Sequence, residues 1–140
     1  MATIKSFTDL PQSKTLSKIL PLESADMVYL GIHQGMDGKY HLSGTNTEDD
    51  VVPIYKNFFI KVFAKTTSSD VINQLPCWSL AALLGVLPNG TDIVKEEADT
   101  ENEKYMCTVG VTNDIISTFG NNPVDACVAM IEKLHELERL

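Results

Sequence analysis

The chain has 140 residues, of which 44% are hydrophobic and 21% are charged, and these proportions are typical of a soluble globular domain. A domain of this size buries enough apolar surface to need neither a disulfide nor a structural metal. Its 19 acidic and 11 basic residues give a formal net charge of -8. This charge argues against direct nucleic-acid binding, because affinity for phosphates depends on Lys and Arg.

The cysteines and the hydropathy profile indicate a cytoplasmic protein. Cys77, Cys107 and Cys127 form an odd set without a close pair in the sequence, and each lies in an apolar context typical of small buried hydrophobic residues. The first residues lack the apolar stretch of a secretory signal. No window approaches the ~20 apolar residues of a membrane span, so we expect no membrane association.

A short helix is predicted over residues 9–20. Thr8 or Asp9 can cap its free N–H groups, and Pro11 occupies a first-turn position where proline is tolerated. Pro21 closes the helix.

Two strands of a hairpin are predicted around residues 36–38, because apolar and polar residues alternate on both sides. A two-residue turn would place Ile32 opposite the polar Ser43. A three-residue loop with its glycine in the left-handed conformation places Ile32 opposite Leu42 and keeps the apolar face consistent, so this register is favoured.

The histidines of this hairpin are weak candidates for metal ligands. The favoured register places His33 opposite His41, and cross-strand neighbours on one face can share a metal ion or a proton. The other members of that face, Tyr29, Gly31 and Ser43, supply no evident third ligand. Ordinary surface or partly buried histidines are therefore the favoured interpretation.

The middle of the chain holds a polar, acidic stretch at residues 45–50, predicted as a loop, and then the densest aromatic segment. Enrichment in β-branched and aromatic residues favours a strand over about 57–64. The spacing of Tyr55, Phe59 and Phe63 leaves a helix over 51–63 open.

Residues 75–88 contain no charge and are bracketed by prolines. A helix that is apolar all round is usually buried, so we expect a central core helix over 77–87 with Ser79 near its cap. Trp78 at its start is either a core anchor or the centre of a partner-binding interface, because Trp is enriched at binding hot spots.

A meander of three strands is predicted over residues 92–97, 104–111 and 115–119, with one buried and one mixed face. An acidic tip lies between the first two strands. It contains Glu96, Glu97, Asp99, Glu101 and Glu103. Crowded like charges favour a solvated loop, and the alternative is a negative surface offered to a basic partner site.

The clearest predicted element is the C-terminal helix. Asn122 is a good N-cap, Pro123 fits the first helical position, and Asp125 places negative charge in the first turn. The predicted inward stripe, with Met130 and Leu137 at its margin, consists of Val124, Cys127, Val128, Ile131 and Leu134.

These elements predict an α+β fold in a single domain, residues 1–140. Its antiparallel sheet of about five strands packs against the central apolar helix and the C-terminal helix, and the chain begins with the short N-terminal helix.

Two pieces of the chain carry a resemblance. Residues 75–88, with Pro-Cys-Trp-Ser-Leu-Ala-Ala-Leu-Leu, and residues 122–137, with Asn-Pro-Val-Asp-Ala-Cys-Val-Ala-Met-Ile-Glu-Lys-Leu-His-Glu-Leu, resemble a family of small uncharacterised proteins. This family is carried by phages and integrated mobile elements of Bacteroides-type gut bacteria. Residues 4–10 and 20–27 also fit, whereas 33–74 do not. The resemblance implies a bacterial cytoplasm under phage or mobile-element control, and it brings no activity, cofactor or site residues.

No catalytic motif is present: the sequence has no G-x-S-x-G, no phosphate-binding glycine loop and no H-E-x-x-H. We therefore expect no catalytic residues and no cofactor. The favoured function is a small non-enzymatic interaction protein of a phage or mobile element that binds another protein or itself, and a homodimer is compatible with it. The candidate partner-binding residues are Trp78, Glu96, Glu97, Asp99 and Glu101.

Three other functions stay open. The first is an acidic inhibitor or nucleic-acid mimic that acts on a host defence or phage enzyme. The second is a small ligand- or metal-binding protein or enzyme that uses the face of His33 and His41. The third is a structural component of the virion.

Overall fold

The computed structural model describes residues 5–34, 40–42, 53–55, 71–96 and 104–140. Within these residues the chain forms three α-helices and two antiparallel sheets, which confirms the predicted α+β class. The strands are divided between a four-stranded and a three-stranded sheet, where the sequence predicted one sheet. None of the described helices has the length and hydropathy of a membrane span.

In chain order, the elements are α1 (Leu10–Ser17), a 3-10 turn (Leu22–Ser24), β1 (Met27–Gln34), β2 (Tyr40–Leu42), β3 (Ile54–Tyr55), β4 (Val71–Cys77), α2 (Leu80–Val86), β5 (Asp92–Glu96), β6 (Lys104–Val111), β7 (Asp114–Gly120) and α3 (Pro123–Glu136). The described residues group into two compact units, one drawn from residues 9–78 and the other from residues 1–8 and 79–140. A single domain over residues 1–140 stays a prediction.

In the first unit, β1 is the central strand of the four-stranded sheet. β4 pairs along one edge of β1, and β2 and β3 pair with opposite ends of its other edge. The register of β1 with β2 places Ile32 opposite Leu42, which confirms the predicted register. The loop between these strands, residues 35–39, lies outside the described residues.

The N-terminal helix is held by a reciprocal cap. Asp9 Oδ1 accepts a hydrogen bond from the Gln12 N–H at 2.9 Å, and Gln12 Oε1 accepts one from the Asp9 N–H at 3.2 Å. This capping box confirms Asp9 as the N-cap. The helix ends at Ser17, earlier than predicted, and buries Leu10 and Leu16.

The helix predicted over 77–87 begins later in the structure, at Leu80, after an extended segment. Residues 75–77 belong to β4, where Pro76 lies opposite Val28 of β1. Proline has no N–H to donate, and its ring disfavours a helical conformation for the preceding Leu75, so the segment starts as an extended strand.

The helix α2 that follows is shorter and less buried than expected. Ser79 is its N-cap, as predicted, and its Oγ accepts a hydrogen bond from the Ala82 N–H at 3.2 Å. Leu83 is fully buried, whereas Leu84 is 40% exposed. The helix therefore buries one side only, which corrects the expectation of a helix buried all round.

Trp78, between β4 and α2, is fully buried. Its indole Nε1–H donates a hydrogen bond to Ser24 Oγ at 3.0 Å, and the Ser24 hydroxyl donates in turn to the Pro21 carbonyl at 2.6 Å. Of the two interpretations, the structure therefore supports the core anchor, because the ring presents no surface to a partner.

In the second unit, β5, β6 and β7 form the predicted antiparallel meander. α3 covers one face of this sheet, and from that face β6 buries Tyr105, Cys107 and Val109. Asn122 caps α3 by accepting the Asp125 N–H at 2.8 Å. The predicted stripe of α3 is buried, and Met130, predicted at its margin, is fully buried as well.

A glycine allows the sheet and α3 to approach closely. A Cβ atom at Gly120 would lie 2.6 Å from the backbone nitrogen of Ala126. Nearby, the Thr118 hydroxyl of β7 donates a hydrogen bond to the Ala126 carbonyl of α3 at 2.8 Å and joins the strand to the helix. Lys5 adds an ion pair to Asp125 with an Nζ to Oδ1 distance of 2.9 Å.

Candidate functional site

The side of the β5–β6–β7 sheet that faces away from α3 is called the outer face here, and it carries an apolar row. Met106 of β6 lies opposite Val94 of β5 and opposite Phe119 of β7. Val94 is 46% exposed and Phe119 is 47% exposed. Three neighbouring apolar side chains thus cross the whole width of the sheet in contact with solvent.

Polar groups border this row. On one side, Thr108 and Ser117 are cross-strand partners with their hydroxyl oxygens 3.4 Å apart. On the other side, Glu96 lies opposite Lys104, and the Lys104 ammonium lies 4.3 Å from the centroid of the Phe119 ring. An apolar centre within a polar rim is the arrangement of protein interfaces.

The edge strand β7 adds a second exposed feature. Its turn with β6 consists of Thr112 and Asn113, whose φ angles are 41° and 70°. Two positive φ angles between the paired residues Val111 and Asp114 identify a two-residue hairpin of the primed type. Such a tight turn fixes the register of β7, because it leaves no spare residue for a slip.

This register decides which backbone groups face outward. The residues that flank a two-residue turn hydrogen-bond to each other, and the direction of these bonds alternates along the strand. Asp114 therefore points its backbone groups towards β6, whereas Ile115, Ser117 and Phe119 point theirs away. Among the described strands only β6 pairs with β7, and Ile115 is 76% exposed.

A depression of about 430 Å³ lies beside the start of β7. Its walls mix aliphatic and polar groups, and Arg139 donates to the Thr112 hydroxyl across it at 3.4 Å. The lining residues are Val111, Thr112, Asp114, Ile115, Ile116, Leu137 and Arg139. Asp114 and Arg139 are the charged residues of this lining.

The histidine pair has the predicted backbone register. His33 lies opposite His41 in the pairing of β1 with β2. Within the described ranges, no group of three or more His, Cys, Asp or Glu side chains is placed to hold a metal ion. A metal-dependent role for this pair stays a prediction.

The acidic candidates are mostly outside the described residues. Glu96 ends β5 and is half-buried. Glu97, Asp99 and Glu101 lie outside the described part of the chain, as do the acidic stretch 45–50 and the proposed strand 57–64. Their roles stay predictions.

All three cysteines are fully buried, which confirms the interpretation as core residues. Cys107 and Cys127, far apart in the sequence, face each other between β6 and α3. A thiol–thiol hydrogen bond lowers the pKa of Cys107, and the same bond together with burial raises the pKa of Cys127. The sequence could not show this pair, because only the packing of α3 on the sheet creates it.

Tyr29 on β1 is the most strongly perturbed tyrosine of the described part. Burial raises the pKa of its hydroxyl, and the neighbouring Cys77 thiol raises it further through its charge and a hydrogen bond, with a smaller effect of Asp9. The side chain is 2% exposed. Folding thus favours the neutral phenol.

This burial predicts a loss of stability at high pH. A pKa raised by folding stabilises the protein fully below the unfolded value of about 10, and the contribution falls as the pH rises further. We expect Tyr29 to lower the free energy of unfolding by about 1.4 kcal/mol per pH unit above that value. Denaturant unfolding at several alkaline pH values should show a steeper fall of stability with pH in the wild type than in Tyr29→Phe.

The matched control for the lost hydroxyl is Tyr55→Phe, since Tyr55 is 63% exposed. Equal alkaline slopes for the wild type and Tyr29→Phe would contradict the assignment.

Sequence reasoning missed the residues of the outer face and the β7 edge: Val94, Ile115 and Phe119. The alternation in β7 was visible, but Ile115 and Ile116 are both apolar, so the pattern does not tell which one points to the core. The glycine at position 120 was the available signal, because the face of a strand that carries a glycine is the face a helix can approach.

Neither a protein-family model, nor a curated protein, nor a solved structure matches this chain. The function is therefore argued from the surface of the chain itself.

Proposed function

We propose that this chain is a small non-enzymatic interaction protein of a phage or mobile element, and that it binds protein through the outer face of the β5–β6–β7 sheet. The observation that carries the proposal is the exposed row of Val94, Met106 and Phe119. Burying such a row against a partner is favourable by roughly 25 cal/mol for each Å² of apolar surface removed from water.

The surroundings of the row also fit binding. Contiguous exposed apolar surface within a polar rim marks interaction sites. The cation over the Phe119 ring, Lys104, holds that ring in place, and an ordered aromatic side chain loses little conformational entropy when it is buried by a partner.

The test is affinity purification of the tagged chain from its bacterial host, with three matched lysine substitutions. Val94→Lys and Phe119→Lys add a charge to the outer face. Leu84→Lys adds the same charge to an exposed leucine of α2, which is 40% exposed and not part of the sheet. We expect a protein that is recovered with the wild type and with Leu84→Lys and is lost with both outer-face variants.

The effect of salt on capture distinguishes this proposal from that of an acidic mimic of nucleic acid. Apolar docking persists at high salt, whereas capture by exposed acidic residues is screened. The proposal is contradicted if no protein depends on Val94 and Phe119, or if capture disappears on addition of salt.

A further inference from the structure

Among the described residues, no strand pairs with the edge of β7 that faces away from β6. This free edge has the backbone groups and the side chains for pairing with a copy of itself. We propose that two copies of this chain associate through their β7 strands, antiparallel, about a two-fold axis at Ser117. The inference rests on the proposed function and names one partner, a second copy of the chain. It places that partner at the edge of the sheet, beside the outer face.

The backbone register supports this axis. Ile115, Ser117 and Phe119 direct their N–H and C=O groups to the free edge. An axis at Ser117 places Ser117 opposite its own copy and Ile115 opposite Phe119, so all six outward groups of each strand find antiparallel partners. A shift of the axis by one position in either direction reduces the number of paired outward residues.

The side chains agree with this register. Ile115 and Phe119 lie on the outer face and are 76% and 47% exposed. In the pair, each Ile115 packs on the Phe119 of the other copy, which buries apolar surface twice by symmetry. The strand from 115 to 119 has none of the lysines, prolines or bulges with which natural edge strands prevent such pairing.

The charges are compatible with a second copy despite the net charge of -8. Asp114 is the one charged residue of β7, and the axis places it opposite Gly120. The two Asp114 carboxylates are then about 20 Å apart along the strands, beyond the Debye length of about 8 Å. Gly120 adjoins the first turn of α3, where Lys5 and Asp125 form an ion pair, so the Asp114 of the other copy lies beside a pair whose charges cancel.

The interface is small, which sets the expected affinity. One edge strand from each copy buries less than the roughly 1,200 Å² of a standard stable interface. We therefore expect a reversible dimer that dissociates on dilution. Sedimentation equilibrium of the full chain should give a mass that rises with concentration from 15.4 kDa towards twice that value.

Two substitutions should abolish this association. Ser117→Pro removes an N–H that faces the free edge, so it is tolerated in the monomer and blocks pairing at the axis. Ile115→Lys brings a second cation to the Phe119 and Lys104 of the other copy. Each should raise the dissociation constant about tenfold or more, since each change occurs twice across the axis. Leu84→Lys, which places a lysine on α2 outside the sheet, is the matched control and should leave the dimer unchanged.

A cross-link tests the register itself. Ser117→Cys places two thiols opposite each other at the axis, and diamide should join them in a disulfide while one diamide is reduced to the hydrazine. Ile115→Cys places its thiols about 13 Å apart, too far for a disulfide, and is the control. The native cysteines are buried, so the cross-linking of the wild type gives the background for both variants.

The outcomes separate this inference from the proposed function. A monomer at all concentrations, or cross-linking that is equal at positions 115 and 117, overturns the dimer. The proposed function then stands if Val94→Lys and Phe119→Lys still lose a captured protein. If Ser117→Pro loses that captured protein while the wild type is a monomer, the edge pairs with a different chain and the second copy is the wrong occupant.

Discussion

Replacing Trp78 with alanine is expected to lower the free energy of unfolding by about 3–5 kcal/mol. The indole is fully buried and is the largest side chain in the core, so its removal leaves a cavity and takes from the Ser24 hydroxyl one of its two hydrogen bonds. Denaturant unfolding followed by circular dichroism measures the effect. Tryptophan fluorescence is unsuitable, because Trp78 is the only tryptophan of the chain and the variant lacks it.

The matched variant is Ser24→Ala, which keeps the ring and removes the hydroxyl that accepts its hydrogen bond and donates to the Pro21 carbonyl. It should cost about 1–3 kcal/mol, the penalty for a buried N–H without a partner. A cost for Trp78→Ala no larger than that for Ser24→Ala would show that the ring does not anchor this core.

Replacing Gly120 with alanine should destabilise the protein by about 1–3 kcal/mol, as overpacking does in a closely packed core. The added methyl group would meet the backbone nitrogen of Ala126 at 2.6 Å. Backbone cannot rotate away as a side chain can, so α3 must move from the sheet. Thermal and denaturant unfolding should both detect the change.

Gly110→Ala is the control, since a Cβ at this strand position has no atom within 4 Å. Here alanine should be neutral or stabilising by up to about 1 kcal/mol, because it reduces the entropy of the unfolded chain. Similar effects of the two substitutions would mean that contact with α3 does not limit the size of residue 120.

Elements defined by neighbours in the sequence could be predicted. α3 follows from Asn122, Pro123 and a stripe of apolar residues at helical spacing, all of which act within a few turns. The register of β1 with β2 follows because only one pairing keeps Ile32 and Leu42 on the same face. In both cases the deciding interactions are local.

Features that depend on a distant partner could not be predicted. Cys77 lies at the start of the predicted helix, and its strand conformation depends on pairing with Met27 of β1. The contact between Cys107 and Cys127 depends on where α3 crosses the sheet. The exposure of Ile115 depends on which face of β7 that helix covers, and two adjacent isoleucines give no sign of it.

The position of β1 has a consequence for how the chain can vary in length. Met27 pairs with Cys77, so the whole of residues 28–76 is a segment whose ends β1 and β4 hold together. The entropy lost on closing such a segment grows only with the logarithm of its length, about 0.6 kcal/mol for each doubling. An insertion between residues 28 and 76 that leaves the pairing of β1 with β2, β3 and β4 intact therefore adds little to this entropy cost, whereas a single added residue in the turn at Thr112 and Asn113 would shift the register of β7.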